Sequence, residues 1–454
     1  MSTLAYESHS ITPGTHRLGI AERIGLGLLA LGLLKLVSAA FLAKASTEST
    51  RAVWLVAAWA AICGGAVLYG VRKHLRELPG IRNHGKTTES LTTRGAPAWM
   101  LGVVITAFYV MLYWFPWTLD GIMRLHDPLS QLVRGKPADQ WFVYATFYAA
   151  AVVVMGIKAM AKYRHSRYQL ARTSVIMLVQ LSFGYLLPAT FAKLNQPEVY
   201  LSYLWPLAYD KLMPDSLAAL RSSGTAVGQF AIAWFVVGTL VATPVLTYYF
   251  GKRWYCSWVC GCGGLANTLG DPWRQLSDKS ERAWRIERVM IYSVLAWIVL
   301  LTGLLWFEPY FPAAFKDVLY TVRKIYAFVI GAAFAGVIGV GFYPLLGTRV
   351  WCRFGCPMAA ILGLLQKYFS RFRITTNGAQ CISCGNCSKY CEMGIDVRAY
   401  AQRGQNIVRA SCVGCGMCAT VCPRGVLSLE NGPVEGRTPD ALSLLGPVKS
   451  RSTE

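Results

Sequence analysis

Residues 381–391 read Cys-Ile-Ser-Cys-Gly-Asn-Cys-Ser-Lys-Tyr-Cys, and residues 412–423 read Cys-Val-Gly-Cys-Gly-Met-Cys-Ala-Thr-Val-Cys-Pro. Both are C-x2-C-x2-C-x3-C, the run with which bacterial ferredoxins hold a pair of [4Fe–4S] clusters, and the second closes on the expected proline. Three closely spaced thiolates wrap one face of a cubane, while the fourth cysteine of each run reaches the other cluster. The spacing therefore assigns Cys381, Cys384, Cys387 and Cys422 to one cluster, and Cys412, Cys415, Cys418 and Cys391 to the other. Gly385, Gly414 and Gly416 are expected to let the backbone turn tightly and aim N–H groups at sulfur. CxxC pairs also bind zinc, but two complete runs with a terminal Cys-Pro make that the lesser reading. Glu392 stands where proline usually follows the last cysteine of the first run.

The rest of the chain has a different character. Of its 454 residues 54% are hydrophobic and 15% charged, and the mean hydropathy is +0.38. Soluble domains carry about 25% charged residues, so one large soluble enzyme is excluded. Apolar runs of bilayer length, about 20 residues, are expected near 24–44, 53–71, 98–117, 141–161, 173–192, 227–250, 288–306 and 324–346. The first follows 23 polar and mixed residues and reads as a retained span rather than a signal peptide. Basic connections run from Arg72 to Lys86, from Lys162 to Arg172, and after the sixth span at Lys252, Arg253, Arg274, Lys279, Arg282, Arg285 and Arg288. The alternate connections, 118–140 and 307–323, are poorer in Lys and Arg. The positive-inside rule then places both termini and the ferredoxin tail in the cytoplasm. The net charge of +22 is topology, and nucleic-acid binding is unneeded.

Twelve of the fourteen cysteines fall after residue 255 in tight spacings; Cys63 and Cys262 stand apart. Besides the tail, two pairs follow spans six and eight: Gly251-Lys-Arg253-Trp-Tyr-Cys256-Ser-Trp-Val-Cys260, and Gly347-Thr-Arg349-Val-Trp-Cys352-Arg-Phe-Gly-Cys356-Pro357. Glycine, arginine, an aromatic and both cysteines align, so this part of the membrane domain reads as a duplicated unit. On an α-helix, positions i and i+4 share a face, and the pairs are expected at the cytoplasmic membrane face. Four such thiols suit an additional iron–sulfur cluster or Cu(I); each pair alone suits a redox dithiol; half-buried packing cysteines are the bland alternative. Cys262 has no partner in the second repeat, and Cys63 reads as a small core residue.

None of the six histidines (His9, His16, His74, His84, His126, His165) lies deep in a span, and no CxxCH occurs, so neither bis-histidine haem nor covalent haem is expected. The spans as drawn hold no carboxylate, which argues against a proton pump. There is no GxGxxG or P-loop. Lys35, Gln180 and Gln229 sit within spans, where each serves either a quinone pocket or, more often, a helix–helix hydrogen bond.

The two CxxxC motifs, the two-cluster tail and the stretch Met393-Gly-Ile-Asp-Val-Arg398 together resemble the NapH/NosR/CcoG-type membrane polyferredoxins, over about residues 225–430. That resemblance implies electron transfer between a quinol or cytosolic donor and a redox partner, with cluster ligands at the eight tail cysteines. Gly261 follows the first pair where proline is usual, and residues 1–224 are extra to the smallest members. The expected fold is an all-α polytopic membrane protein with a C-terminal α+β ferredoxin-like domain. Its parts are a cytoplasmic segment 1–23, spans over 24–224, the duplicated region 225–366, the two-cluster domain 367–430 and a mobile tail 431–454. The expected setting is a bacterial inner membrane, and the expected partner a ferredoxin-like donor, a cytochrome or a periplasmic reductase. Alternatives are a copper reductase or assembly factor built on the CxxxC pairs, and a non-catalytic redox sensor.

Overall fold

The computed structural model describes residues 19–75, 95–377 and 380–432. Most of the N-terminal segment, much of the first basic connection, His9, His16, His84 and nearly all of the C-terminal tail lie outside the described residues.

Among the described residues, eight helices are long and apolar enough to cross a membrane: α1 Ile20–Ala45, α2 Glu48–Leu75, α3 Gly95–Trp114, α4 Gln140–Lys162, α5 Arg167–Lys193, α6 Ala226–Phe250, α7 Glu281–Trp306 and α8 Ala313–Gly341. Several starts are set by side-chain caps. The Asp139 carboxylate accepts from Phe142 N at 2.7 Å to open α4, and Ser280 Oγ accepts from Ala283 N at 3.1 Å to open α7. The last helix lies N-terminal to its sequence-based position: α8 ends at Gly341, because there the chain runs against α3. A Cβ on Gly341 would sit 2.4 Å from Thr106 Oγ1. The 118–140 connection is not plain loop. It holds an amphipathic helix, Asp120–Arg134, packed on α1 and α2, with His126 fully buried between Trp59 and Phe147.

Below the bundle, β1 (Arg373–Thr376) and β2 (Leu427–Glu430) pair antiparallel, with Ile374 opposite Leu429. They bracket the two cysteine runs, each of which carries a one-turn helix, Asn386–Lys389 and Met417–Thr420. Gly385, Gly414 and Gly416 all take positive φ, at 78°, 59° and 70°, which is the tight turning their positions require.

The duplication is visible in the backbone. Gly251 (φ 63°) and Gly347 (φ 88°) break the preceding helical segments. Each is followed by a π-helical turn, Trp254–Val259 or Trp351–Gly355, and then by a helix, Gly261–Asn267 or Pro357–Tyr368.

Candidate functional site: two cysteine cavities and a buried CxxxC centre

Cys381, Cys384, Cys387 and Cys422 line one cavity of the small domain. Cys391, Cys412, Cys415 and Cys418 line another. The fourth cysteine of each run thus lines the cavity of the other run's first three. Among the described residues no three His, Cys, Asp or Glu side chains converge as tightly as a single metal ion needs; each cavity instead spreads its four sulfurs around a void, as a cubane requires. Backbone amides point at these sulfurs: Gly414 N lies 3.4 Å from Cys412 Sγ, and Ile395 N 3.4 Å from Cys391 Sγ. Burial pushes Cys391 up to about 12, and Cys387 and Cys412 up to about 11. Without a cation these thiols stay neutral; bound iron supplies the charge that makes them thiolates.

The CxxxC cysteines depart from their sequence-based placement. They are not on one α-helical face, because the motifs wind as π turns: Cys260 N donates to Tyr255 O at 2.8 Å, and Cys356 N to Trp351 O at 3.0 Å. Cys260 and Cys356 then adopt extended backbone and open the next helix. The loops that carry them also bond in two directions: Ser257 Oγ, next to Cys256, donates to Val413 O of the small domain at 2.6 Å. Gln180 Nε2 donates to Val259 O at 2.6 Å and Tyr148 Oη to Gly261 O at 2.8 Å. Tyr148 stands 14 residues inside the Lys162 end of α4. Gln180 lies eight residues beyond Arg172, which still bonds the ferredoxin domain through Cys415 O at 2.9 Å. At 1.5 Å per residue these partners stand about 21 and 12 Å along their helices from those residues.

From the opposite side, the irregular segment 199–206 descends to meet them. Tyr255 Oη donates to Ser202 O at 2.8 Å, and Leu204 packs against Gly238 midway along α6, where a Cβ would lie 2.8 Å from it. Irregular backbone among membrane helices is tolerated only where protein buries it or it lines a cavity. All four CxxxC cysteines are buried and stand near enough for each sulfur to feel the others' charge. Cys262 joins them, its thiol hydrogen-bonded to Cys260, whereas Cys63 is apart, half-buried in α2.

A buried ionic node ties this centre to the small domain. Glu392 is fully buried. Its Oε2 accepts from Arg274 Nη1 at 2.7 Å and its Oε1 from Arg349 Nη2 at 2.9 Å. Arg349 Nη1 meanwhile reaches Cys256 O at 3.2 Å and Cys352 Sγ at 3.6 Å. One guanidinium thus connects a CxxxC sulfur to the residue next to Cys391. Arg274 also bonds Asp271, which takes Lys162 and Tyr163; against the opposing effect of burial, the neighbouring cations hold the Asp271 carboxyl well below its ordinary range and lower that of Glu392. Lys252, buried, donates to Ala359 O at 3.1 Å and Ala410 O at 2.7 Å. The sequence signalled only two of these: Arg349, as an aligned residue, and Glu392, as a departure from the ferredoxin run. Of the polar in-span residues, Gln180 is buried against the CxxxC loop, Gln229 is exposed on α6, and Lys35 is half-buried in α1.

Residues 380–427 match a family described as a 4Fe-4S dicluster domain. Residues 232–285 and 328–376 both match a second, described as a 4Fe-4S binding domain, so each CxxxC motif lies in one copy of it. Eight membrane-length helices with these domains define a membrane iron–sulfur protein with a role in electron transfer. The chain is similar to the methylamine utilization ferredoxin-type protein MauN of Methylobacillus flagellatus, 28% identical over 253 residues, which are 52% of this chain and 80% of that one. It is similar also to YccM of Escherichia coli, whose name describes electron transport, 28% identical over 35% of this chain and 46% of that one. A second MauN, from Methylorubrum extorquens, is 26% identical over 39% of this chain and 60% of its own. The chain thus spans about half of the Escherichia coli relative. These relatives are consistent with the polyferredoxin resemblance of the motifs. No solved structure matches the chain.

Proposed function

We propose that the chain is a three-centre electron relay. Cys381, Cys384, Cys387 and Cys422 hold one [4Fe–4S] cluster, and Cys391, Cys412, Cys415 and Cys418 hold the second. Cys256, Cys260, Cys352 and Cys356 hold a third iron–sulfur centre inside the membrane domain. The observation that carries this reading is the gathering of the four CxxxC cysteines, from two copies of one iron–sulfur domain, at a point joined to Cys391 through Arg349 and Glu392. An iron–sulfur centre supplies reversible one-electron chemistry. The chain's own residues bury the sulfurs, neutralise charge around them and shorten the gap between the small domain and the membrane interior. Electrons pass between a quinol or cytosolic donor and a redox partner protein. The basic connection Lys162–Arg172 abuts the small domain, which supports a cytoplasmic small domain and both termini on that side of a bacterial inner membrane.

Iron, copper and acid-labile sulfide per chain, measured on anaerobically purified protein, test the reading. About twelve iron and twelve sulfide are expected, falling to about eight in Cys256→Ser/Cys352→Ser, as three four-iron centres lose one. Eight in both proteins, with copper bound to the native chain alone, would replace the third cluster with a copper site; eight in both without copper would leave a dithiol.

A further inference from the structure

A cavity of about 480 Å³ lies between α4, α5 and the 199–206 segment, in the size range of small-molecule sites. Its mouth faces away from the ferredoxin domain and carries Arg134, Lys136, Asp139 and Glu198. Those charges are already spent on each other. Arg134 pairs with Asp139 at 2.8 Å and with Glu198 at 3.4 Å, and Lys136 pairs with Glu198. A rim so balanced does not select an ion. Below it the walls are aromatic, with Trp141, Phe142, Tyr144 and Tyr185. One wall is the π-helical turn Ser182–Leu186 of α5, a distortion frequent at functional sites. There Gly184 keeps the wall thin, since a Cβ on it would lie 3.3 Å from Gln180 Oε1.

The inner end is polar. Tyr148, Gln180 and Tyr203 converge on Gly261, which sits between Cys260 and Cys262. A Cβ on Gly261 would lie 2.9 Å from Tyr203 Oη, so the glycine lets the cavity floor meet the CxxxC loop. The Tyr203 hydroxyl, unlike those of Tyr148 and Tyr144, has no hydrogen-bond partner among the described residues. A neutral rim, an aromatic waist and free hydroxyl capacity at the floor suit a flat, uncharged ring that carries oxygen at its leading edge.

We propose that this cavity binds a quinone headgroup, with a ring oxygen at Tyr203 and the ring between Tyr144 and Tyr185. This rests on the three-centre reading, for which it names the membrane-soluble ligand. It also places that ligand within one residue of Cys260 of the buried centre, and of Cys262 beside it, on the side away from the ferredoxin domain.

The test is photolabelling of the full-length protein in detergent with an azidoquinone bearing a ten-carbon tail, followed by peptide mapping. Labelling within 141–148 or 180–203, competed by the unlabelled quinone, is expected. Ala145→Trp, which fills the waist, should lower labelling about tenfold or more, and Tyr203→Phe about fivefold, the loss of one hydrogen bond. Gln229→Leu, at an exposed site outside the cavity, should leave it unchanged. Labelling spread over the lipid-facing helices, or unaffected by both cavity variants, overturns the site. Iron is measured on the same samples. Labelling absent with iron intact overturns this inference alone; iron absent with labelling retained overturns the relay reading alone.

Discussion

Glu392→Gln keeps the shape of the node and removes its charge. In the native fold Glu392 accepts from Arg274 and Arg349 with none of the three side chains exposed, and the buried Arg172 adds to the field that keeps it ionised. Once it is neutral, Arg274 keeps only one carboxylate, Asp271, which already serves Lys162 and Tyr163, while Arg349 and Arg172 lose the charge of the carboxylate that faces them. Removing one partner of a buried ion pair costs about 3–5 kcal/mol. Arg274 retains Asp271 and Asn267, and Arg349 retains Cys256 O, so the lower end, about 3 kcal/mol, applies. That is roughly a 100-fold rise in the population of an opened small domain, since 1.4 kcal/mol is a factor of ten. Amide hydrogen exchange reads it directly: residues 391–397 and 271–277 should exchange about 100-fold faster in the variant. Glu281→Gln, which breaks the exposed pair with Arg285, should change nothing, because surface pairs contribute little. Native exchange rates in Glu392→Gln would refute the node as the tie between the two parts.

Two further outcomes follow from single residues. His126 donates from Nδ1 to Ile122 O at 2.8 Å and accepts at Nε2 from Trp59 Nε1 at 3.3 Å, and burial lowers it to about 4. The folded state thus favours the neutral ring and the unfolded chain protonates first. Stability of the α1–α2 hairpin is therefore full above about pH 6.5 and falls by roughly 2–4 kcal/mol towards pH 4. Hydrogen exchange in Ile20–Leu75 against pH should show that slope and lose it in His126→Gln; a flat native profile would contradict it. Gly263→Ala would put a Cβ 2.0 Å from Cys256 O, so the purified variant should lose the CxxxC iron and keep the tail's eight; full iron retention would show that the turn yields instead.

Membrane helices and cysteine runs were legible because each rests on a local rule. About twenty apolar residues are the length a bilayer crossing needs, and C-x2-C-x2-C-x3-C is the spacing that wraps a cubane. The positions of seven of the eight helices and the crossed placement of Cys391 and Cys422 came from such rules. The packing of the CxxxC loops did not, because it depends on long-range partners: Gln180 on Val259, Tyr255 on Ser202, Gly341 on Thr106. Nothing local in those loops reports that a second segment, 199–206, packs on them. Glu392 was visible only as a missing proline, since its partners Arg274 and Arg349 lie 118 and 43 residues away. Gln180 and Gln229 looked equivalent in sequence; only packing set one against Val259 and left the other exposed.

The central claim is that the tail clusters and the buried centre form one electron path. An EPR-monitored redox titration of anaerobically purified protein tests it most directly. The account predicts three one-electron iron–sulfur centres whose signals are broadened by magnetic coupling between the tail and the CxxxC centre. It also predicts that Cys352→Ser removes one centre together with that broadening. Two uncoupled signals, unchanged by Cys352→Ser, would contradict it.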